Sequence, residues 1–269
     1  MSGQGADYSH WIGRHESGED ELGLSPALAA AATLDDTWTT LQQGSPLPPL
    51  WHWFYFLPCV PQALLDRDGH PQRGGFMPPI PYPRRMFAGA RLRFHRPLLI
   101  GRPARREAVI RDIRQKSGRS GPLAFVSVSC GFYQGDVLCI EEEQEIVYRE
   151  PGPPLAAPER AEWPPLAAGS WSRIVTPDSR LLFRFSALTF NAHRIHYDRP
   201  YARDEEGYPG LVVQGPLTAV LLMQLLRGRV AEEVSEFSFR GLGPLCDVAP
   251  FRLCGGRSGD TVSVLAEGP

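Results

Sequence analysis

The segment GPLTAVLLMQLLRGR, residues 215–229, decides the fold, because it is the clearest helix in the sequence. Pro216 suits a first helical turn, where the N–H group that proline lacks would have no partner. Apolar residues occur all along the segment, so we expect a buried helix over 216–229; they include Leu217, Val220, Leu221, Leu225 and Leu226. Strand-like segments follow, and a helix followed by an antiparallel sheet predicts an α+β fold; they lie at 234–240, 248–254 and 260–266.

The sequence before residue 150 shows the same order of a helix followed by strands. Ser25 and Pro26 predict the start of a helix over 25–42, and we expect the aromatic-rich segment 50–57 to be extended. In the other half of the chain, residues 181–190, which precede the buried helix, are predicted to form a strand as well. A period-two pattern predicts a strand at 87–97, and three more strand-like runs lie at 104–115, 121–132 and 136–149.

The segment EPGPPLAAPE, residues 150–159, divides the chain. It is rich in proline and lacks a hydrophobic period, which is typical of a linker. We therefore predict an N-terminal domain over 1–150, a linker over 151–170 and a C-terminal domain over 171–269. Both domains have an ordinary size.

Composition excludes several classes of protein. The 269 residues are 42% hydrophobic and 22% charged, with a net charge of −2, which is typical of a globular protein and not of a nucleic-acid binder. No apolar run is long enough to predict a membrane span. The charged N-terminus does not resemble a secretory leader, and the five cysteines form no CxxC pair, so we expect a cytoplasmic protein without a structural zinc site.

Titratable and polar side chains cluster just before the buried helix. Within eight positions the chain carries Asn191, His193, Arg194, His196, Tyr197 and Asp198. A metal held by His193, His196 and Asp198 is conceivable from the residue types, but no further ligand is evident. Asn191 could also merely close an Asx turn.

Three segments resemble one family. They are FNAHRIHYDRPYA (190–202), EGYPGLVVQGPL (206–217) and PRRMFAGARLRFHRPL (83–98). They resemble the MaoC-like hydratases and dehydratases of hotdog fold, closest to the subgroup of mesaconyl-CoA (3-methylfumaryl-CoA) hydratases, itaconyl-CoA hydratases and type 2 hydroxyacyl-thioester dehydratases. The resemblance implies a double hotdog, with two long helices that are each wrapped by an antiparallel sheet. It also implies hydration of an enoyl-CoA, or the reverse dehydration.

The chemistry of hydration assigns roles to three residues. A base must deprotonate water, an acid must protonate the α-carbon, and a donor must stabilise the negative charge on the thioester oxygen. His196 suits the proton transfers, with Asn191 holding the water. Gly215 opens the helix, where backbone N–H groups are free, so its N–H is the candidate oxyanion donor.

Two positions depart from the common family pattern. The position of Asn191 is acidic in many MaoC-like hydratases, although the closer subgroup has Asn there. An amide cannot ionise, so His196 would carry the proton transfers alone. The residue before the helix-opening glycine is commonly His, whereas here it is Gln214, which can form hydrogen bonds but cannot titrate.

Further residues are candidates for substrate binding. Arg84 and Arg85 suit the phosphates of coenzyme A or a substrate carboxylate. We also expect Tyr208, Val213 and Gln214 to line the acyl site.

The sequence therefore predicts a hydro-lyase acting on a short acyl-CoA, with a C5 dicarboxylyl-CoA such as itaconyl-CoA or mesaconyl-CoA first. The alternatives are a dehydratase of monocarboxylic 3-hydroxyacyl thioesters, a hotdog thioesterase and a non-catalytic CoA-ester binder. This chemistry requires no cofactor, neither metal nor nicotinamide nor flavin. We expect no nucleic-acid or membrane partner, and analogy with the family suggests a homodimer.

Overall fold

A six-stranded antiparallel sheet forms the larger part of the structure, a computed structural model that describes residues 6–118, 121–158 and 163–269. Its spatial order is β1-β3-β4-β5-β2-β7. The strands are β1 (His15–Asp20), β2 (Arg84–Phe94), β3 (Ala104–Gly118), β4 (Gly121–Gln134), β5 (Val137–Arg149) and β7 (Glu236–Arg240). The strands predicted at 87–97, 104–115, 121–132, 136–149 and 234–240 are thus confirmed, and β1 was not predicted.

A smaller sheet has three antiparallel strands in the order β6-β8-β9. They are β6 (Trp171–Val175), β8 (Phe251–Ser258) and β9 (Thr261–Glu267), which confirms the strands predicted at 248–254 and 260–266. The helices are α1 (Leu24–Leu34), α2 (Ser179–Leu188) and α3 (Gly215–Arg227). An α+β architecture of helices against antiparallel sheets is therefore present, as the sequence predicts. No helix in the described ranges is long and apolar enough to cross a membrane.

Helix α3 is the buried helix that the sequence predicts. Nine of its thirteen residues are buried, an unbroken run from Ala219 to Leu226 together with Leu217. The helix packs against β8, β9 and β2, so it lies between the two sheets. This position fixes its N-terminus beside β2, the strand that carries Arg84 and Arg85.

The strand predicted at 181–190 is wrong, because these residues form helix α2. The Asp178 side chain accepts a hydrogen bond from Leu181 N at 2.9 Å and so caps the helix. Leu182, Phe185 and Ser186 are buried along one side, a spacing of three and four residues that is helical. The dense apolar residues of this segment also permitted the period-two interpretation.

Two other predicted segments differ in extent. The helix predicted over 25–42 ends at Leu34, since Asp35 adopts a left-handed conformation and Asp36 N donates to Ala31 O at 3.0 Å. The segment 50–57, predicted to be extended, contains a 3₁₀ turn at Trp51–Phe54. Trp51 and Phe54 are buried in the core.

One strand of the predicted C-terminal domain pairs with a strand of the predicted N-terminal domain. β7 follows α3 in the C-terminal segment, yet it pairs with β2 of the N-terminal segment, with Gly89 opposite Arg240 and Arg93 opposite Glu236. The domain limits stay a prediction, but the two segments share one sheet.

Candidate active site

Asn191 lies in a tight turn that follows helix α2. Its backbone N donates to Ser186 O at 2.8 Å, and its side-chain Oδ1 accepts from His193 N at 3.0 Å. Asn191 therefore closes an Asx turn, as one interpretation of the sequence has it. The Nδ2 group makes no hydrogen bond within the described part of the chain, so it remains able to bind a water or substrate oxygen.

His196 ends a 3₁₀ turn, Arg194–His196, and its side chain is buried. Its Nδ1 atom lies 2.7 Å from the carbonyl oxygen of Val212. A carbonyl can only accept, so Nδ1 carries the proton and Nε2 keeps its lone pair. The backbone N of Val212 in turn donates to Ile195 O at 2.9 Å, which locks the two segments together.

The environment keeps His196 neutral. Burial lowers the pKa of His196 to about 4, although the hydrogen bond to Val212 O opposes this effect. The charge of His70, when protonated, lowers the pKa of His196 further. At neutral pH the imidazole is therefore in the form that accepts a proton at Nε2.

Gln214 immediately precedes helix α3 and joins it to helix α2. Its Nε2 donates to Leu182 O and to Ser186 Oγ, both at 2.9 Å, and the side chain is buried. Its Oε1 has no hydrogen-bond partner among the described residues. Gln214 thus has a structural role, and its contact with substrate stays a prediction.

Gly215 is the first residue of α3, as the oxyanion assignment requires. The first N–H groups of a helix have no intrahelical acceptor, and the helix dipole makes this end positive. The preceding Val213 is held by its N–H, which donates to Leu245 O at 2.8 Å. The N-terminus of α3 and the imidazole of His196 are therefore both anchored through the segment 212–215.

Two site residues come from the N-terminal segment and were not predicted. His70 Nδ1 lies 2.9 Å from Asp68 Oδ2, and the His70 ring lies against the His193 ring, with centroids 4.0 Å apart and planes tilted by 39°. His193 in turn meets His196 edge-on at 5.3 Å. We call these four residues, Asp68, His70, His193 and His196, the imidazole cluster.

A close backbone contact holds the cluster together. Arg194 N donates to Asp68 O at 2.8 Å. Gly69, between Asp68 and His70, has φ +91°, and a Cβ there would collide with Ala192 O. Only glycine fits this position. The pair Asp68–Gly69 is a turn signal in the sequence, but nothing local indicates where this turn docks.

The surroundings of the imidazole cluster determine the protonation states of its members. Burial is the main cause that lowers the pKa of His193 to about 2, and burial also lowers the pKa of His70. Burial by itself would raise the pKa of the Asp68 carboxyl, but hydrogen bonds from His70, together with the charges of His70 and His193 when protonated, lower it overall. The cluster therefore holds one carboxylate and three neutral imidazoles at neutral pH.

The donor atoms of Asp68, His70 and His193 lie within 4.8 Å of one another, so these residues could hold a metal ion. The ligand set considered from the sequence, His193, His196 and Asp198, does not assemble this way. Asp198 is engaged by Arg194, with Nη2 2.7 Å from Oδ2.

Arg84 and Arg85 have different surroundings. Arg84 is buried and ion-paired, with Nε 3.0 Å from Glu206 Oε2, and it also donates to Glu206 O. Its guanidinium lies 5.8 Å from the ring of Tyr208, which is buried too. Arg85 is half-buried and forms no ion pair within the described ranges. The two neighbouring arginines therefore cannot be assigned the same role.

Comparisons with known proteins identify the class. Residues 50–247 match the family described as hydroxyacyl-thioester dehydratase type 2. HtdX of Mycobacterium tuberculosis is 16% identical, with a TM-score of 0.67 over 94% of this chain and 93% of that chain. Another M. tuberculosis protein, described as a double hotdog fold, is 15% identical with a TM-score of 0.56 over 95% and 94% of the chains. The chain belongs to the hydroxyacyl-thioester dehydratase type 2 family and has the predicted double hotdog fold.

Full-length relatives narrow the class to a hydro-lyase. The chain is 65% identical to the mesaconyl-C(4)-CoA hydratase of Chloroflexus aurantiacus over 264 residues, 98% of this chain and 94% of that protein. It is 29% identical to the mitochondrial hydroxyacyl-thioester dehydratase type 2 of Schizosaccharomyces pombe, over 85% and 82% of the two chains. The predicted enzyme class, a hydro-lyase, is confirmed.

Proposed function

We propose that this chain hydrates a C5 dicarboxylyl-CoA, with mesaconyl-C4-CoA as the first candidate substrate. The fixed tautomer of His196 carries the chemical part of the proposal, because it leaves a neutral base buried beside the N-terminus of α3. The substrate follows from the similarity to the Chloroflexus hydratase. Itaconyl-CoA is the second dicarboxylyl candidate.

The proposed reaction begins with proton transfer from water to Nε2 of His196, while the Nδ2 group of Asn191 holds the water oxygen. The oxygen forms a bond to the β-carbon, and the π electrons move to the thioester oxygen, where the Gly215 N–H stabilises the negative charge. The His196 imidazolium then returns its proton to the α-carbon. The product is a 3-hydroxyacyl-CoA, and the enzyme regains its starting protonation state.

The reaction so written uses no metal or organic cofactor, and we propose that none is needed. The metal-like arrangement of Asp68, His70 and His193 makes this testable. Dialysis against a chelator is expected to leave the hydration rate unchanged. A loss of rate that added divalent metal restores would contradict the proposal.

The direct experiment compares three thioesters with the purified chain. Mesaconyl-C4-CoA, itaconyl-CoA and crotonyl-CoA are supplied in turn, and product formation is followed by mass spectrometry. We expect the highest kcat/KM with mesaconyl-C4-CoA. Preference for a monocarboxylic substrate would instead support a dehydratase like the S. pombe relative.

Two further alternatives predict different products. A thioesterase would release free CoA thiol, which a thiol reagent detects, and a non-catalytic binder would give no product. Neither outcome is compatible with the proposed hydratase.

We also propose a cytoplasmic homodimer. Light scattering of the purified chain tests the dimer, and fractionation of the source cells tests the location. A monomeric mass would contradict the first proposal without affecting the assignment of the reaction.

A further inference from the structure

Arg85 and Tyr148 face each other across two strands. They are directly paired in the register of β2 and β5, and such cross-strand partners project from the same face of a sheet. Tyr148 is fully buried, yet its hydroxyl has no hydrogen-bond partner in the part of the chain that the structure describes. A buried O–H without an acceptor is costly, so the Tyr148 hydroxyl is free to donate to an anion that reaches this face of the sheet.

Arg85 lies beside Tyr148 and has no anionic partner among the described residues. Its neighbour Arg84 is neutralised by Glu206, whereas no carboxylate in the described ranges pairs with Arg85. Arg73 adds a second positive charge, with its guanidinium 5.6 Å from the Tyr148 ring. Its own N–H groups donate to the carbonyls of Ile80 and Pro83. The corner formed by Arg73, Arg85 and Tyr148 is therefore cationic and rich in donors.

The corner lies near the candidate active site, because Phe87, two residues along β2 from Arg85, has its carbonyl oxygen 3.7 Å from the position of a Cβ on Gly215. Burial is the largest cause of the lowered pKa of both His70 and His193, and the positive charge of Arg85 lowers both pKa values further. Asp68 is the nearby carboxylate, but it is already hydrogen-bonded to His70. An additional anion would be favoured here, and a carboxylate matches the planar donor pair of a guanidinium.

In a C5 dicarboxylyl-CoA the free carboxylate lies close to the reacting carbon. In 3-methylfumaryl-CoA the free carboxylate is attached to the β-carbon, which is the atom that receives the hydroxyl. The carboxylate therefore lies one carbon–carbon bond, about 1.5 Å, from the site of attack. Groups that recognise it must stand close to the water held at His196.

We propose that Arg85 and Tyr148 bind the free carboxylate of the substrate and so select dicarboxylyl-CoA over monocarboxylic acyl-CoA. This inference rests on the proposed hydration of a C5 dicarboxylyl-CoA. Arg85 supplies two parallel N–H donors, and Tyr148 supplies its hydroxyl. The adjacent Arg84 has a structural role in this arrangement, since Glu206 holds it.

A binding experiment tests the inference without turnover. Succinyl-CoA and butyryl-CoA are saturated and differ in carrying a carboxylate or a methyl group on the β-carbon. The intact chain is expected to bind succinyl-CoA more tightly by calorimetry. Arg85→Met is expected to remove roughly 100-fold of that preference, and Tyr148→Phe roughly 10-fold, because each deletes hydrogen bonds to a charged group. Arg91→Met, on the exposed part of β2, is the matched control and should retain the full preference.

Kinetics provide the second readout. Arg85→Met should lower kcat/KM for mesaconyl-C4-CoA roughly 100-fold more than kcat/KM for crotonyl-CoA. Equal losses on both substrates, or an unchanged succinyl-to-butyryl ratio in both variants, would overturn the inference. Failure of the unaltered chain to hydrate any dicarboxylyl-CoA is a different result, because it contradicts the proposed function itself. Tyr148→Phe removes one oxygen atom, so it keeps the test valid if Arg85→Met does not fold.

Discussion

Nδ1 of His196 donates a hydrogen bond of 2.7 Å to the carbonyl oxygen of Val212, three residues before the start of helix α3. This one contact sets the tautomer of the imidazole and ties it to the segment that leads into the candidate oxyanion donor. The proposed base and the proposed charge-stabilising group are therefore positioned by the same short stretch of backbone.

Replacing His196 tests its role as the base. His196→Ala should lower kcat for hydration by roughly 100- to 10,000-fold, which is the usual contribution of general acid–base catalysis. Circular dichroism should show an intact fold. His95→Gln is the matched control, because His95 is an exposed histidine paired with Glu141. Full activity of His196→Ala would remove the assigned base.

The low pKa of His196 predicts the acid limb of the activity profile. The base is lost only on protonation, so kcat/KM should hold constant from pH 7 downwards and fall near pH 4. An exposed histidine would give a limb near pH 6.5. The measurement is kcat/KM against pH, with pre-incubation controls for reversible unfolding. A limb at pH 6.5 would contradict the proposed environment.

The neutral imidazoles also predict how stability depends on pH. Burial lowers the folded-state pKa of His193 and His196 below the unfolded value of 6.5. The unfolded chain therefore binds more protons below pH 6.5, and the free energy of unfolding falls as the pH drops. His196 alone accounts for about 3 kcal/mol between pH 6.5 and 4. Urea denaturation at several pH values checks this, and a flat profile would count against it.

Gly69 permits a contact that no other residue can make. Gly69→Ala should destabilise the fold by about 3 kcal/mol, from the left-handed backbone and from the collision with Ala192 O. It should also lower activity, since the collision separates His70 from His193. Gly74→Ala is the control, because Gly74 has φ +92° with open space around its Cβ position. This variant should cost only about 1 kcal/mol. Equal effects of the two variants in urea denaturation would refute the docking contact.

The buried pair of Arg84 and Glu206 predicts a stability coupling. Arg84→Met and Glu206→Gln should each destabilise by about 3 kcal/mol, because each leaves a buried partner without its hydrogen bonds. The double variant should cost less than the sum of the two. The exposed pair Arg91–Glu143 is the control and should show coupling near zero. Additive losses at Arg84 and Glu206 would contradict the predicted coupling.

Much of the fold could be predicted because its signals are local. Helix α3 has its proline at the start and apolar residues throughout, and the strands of the large sheet alternate over many residues. The strand prediction fails at helix α2 because its apolar residues are too dense to separate period two from period 3.6. Its capping residue, Asp178, was the available signal.

The site was only partly predictable because its contacts are not local. His196, Asn191 and Gly215 fall in one contiguous segment, so their types and spacing point to hydration. Asp68 and His70 reach the same place from the other half of the chain. The difference between Arg84 and Arg85 depends on Glu206, which is 122 residues away from Arg84. No sequence pattern shows which of the two arginines is ion-paired.

Strand β7 emerges from the half that bears His196 and hydrogen-bonds to β2 of the half that bears Arg85. Under the proposed roles, the C-terminal half carries the catalytic residues and the N-terminal half determines which substrate is hydrated. Backbone hydrogen bonds between β2 and β7 join the two halves. A chimaera that takes its N-terminal half from a relative would thus acquire the substrate selectivity of that relative. Such a chimaera should fold only if β2 of the relative pairs with β7 of this chain.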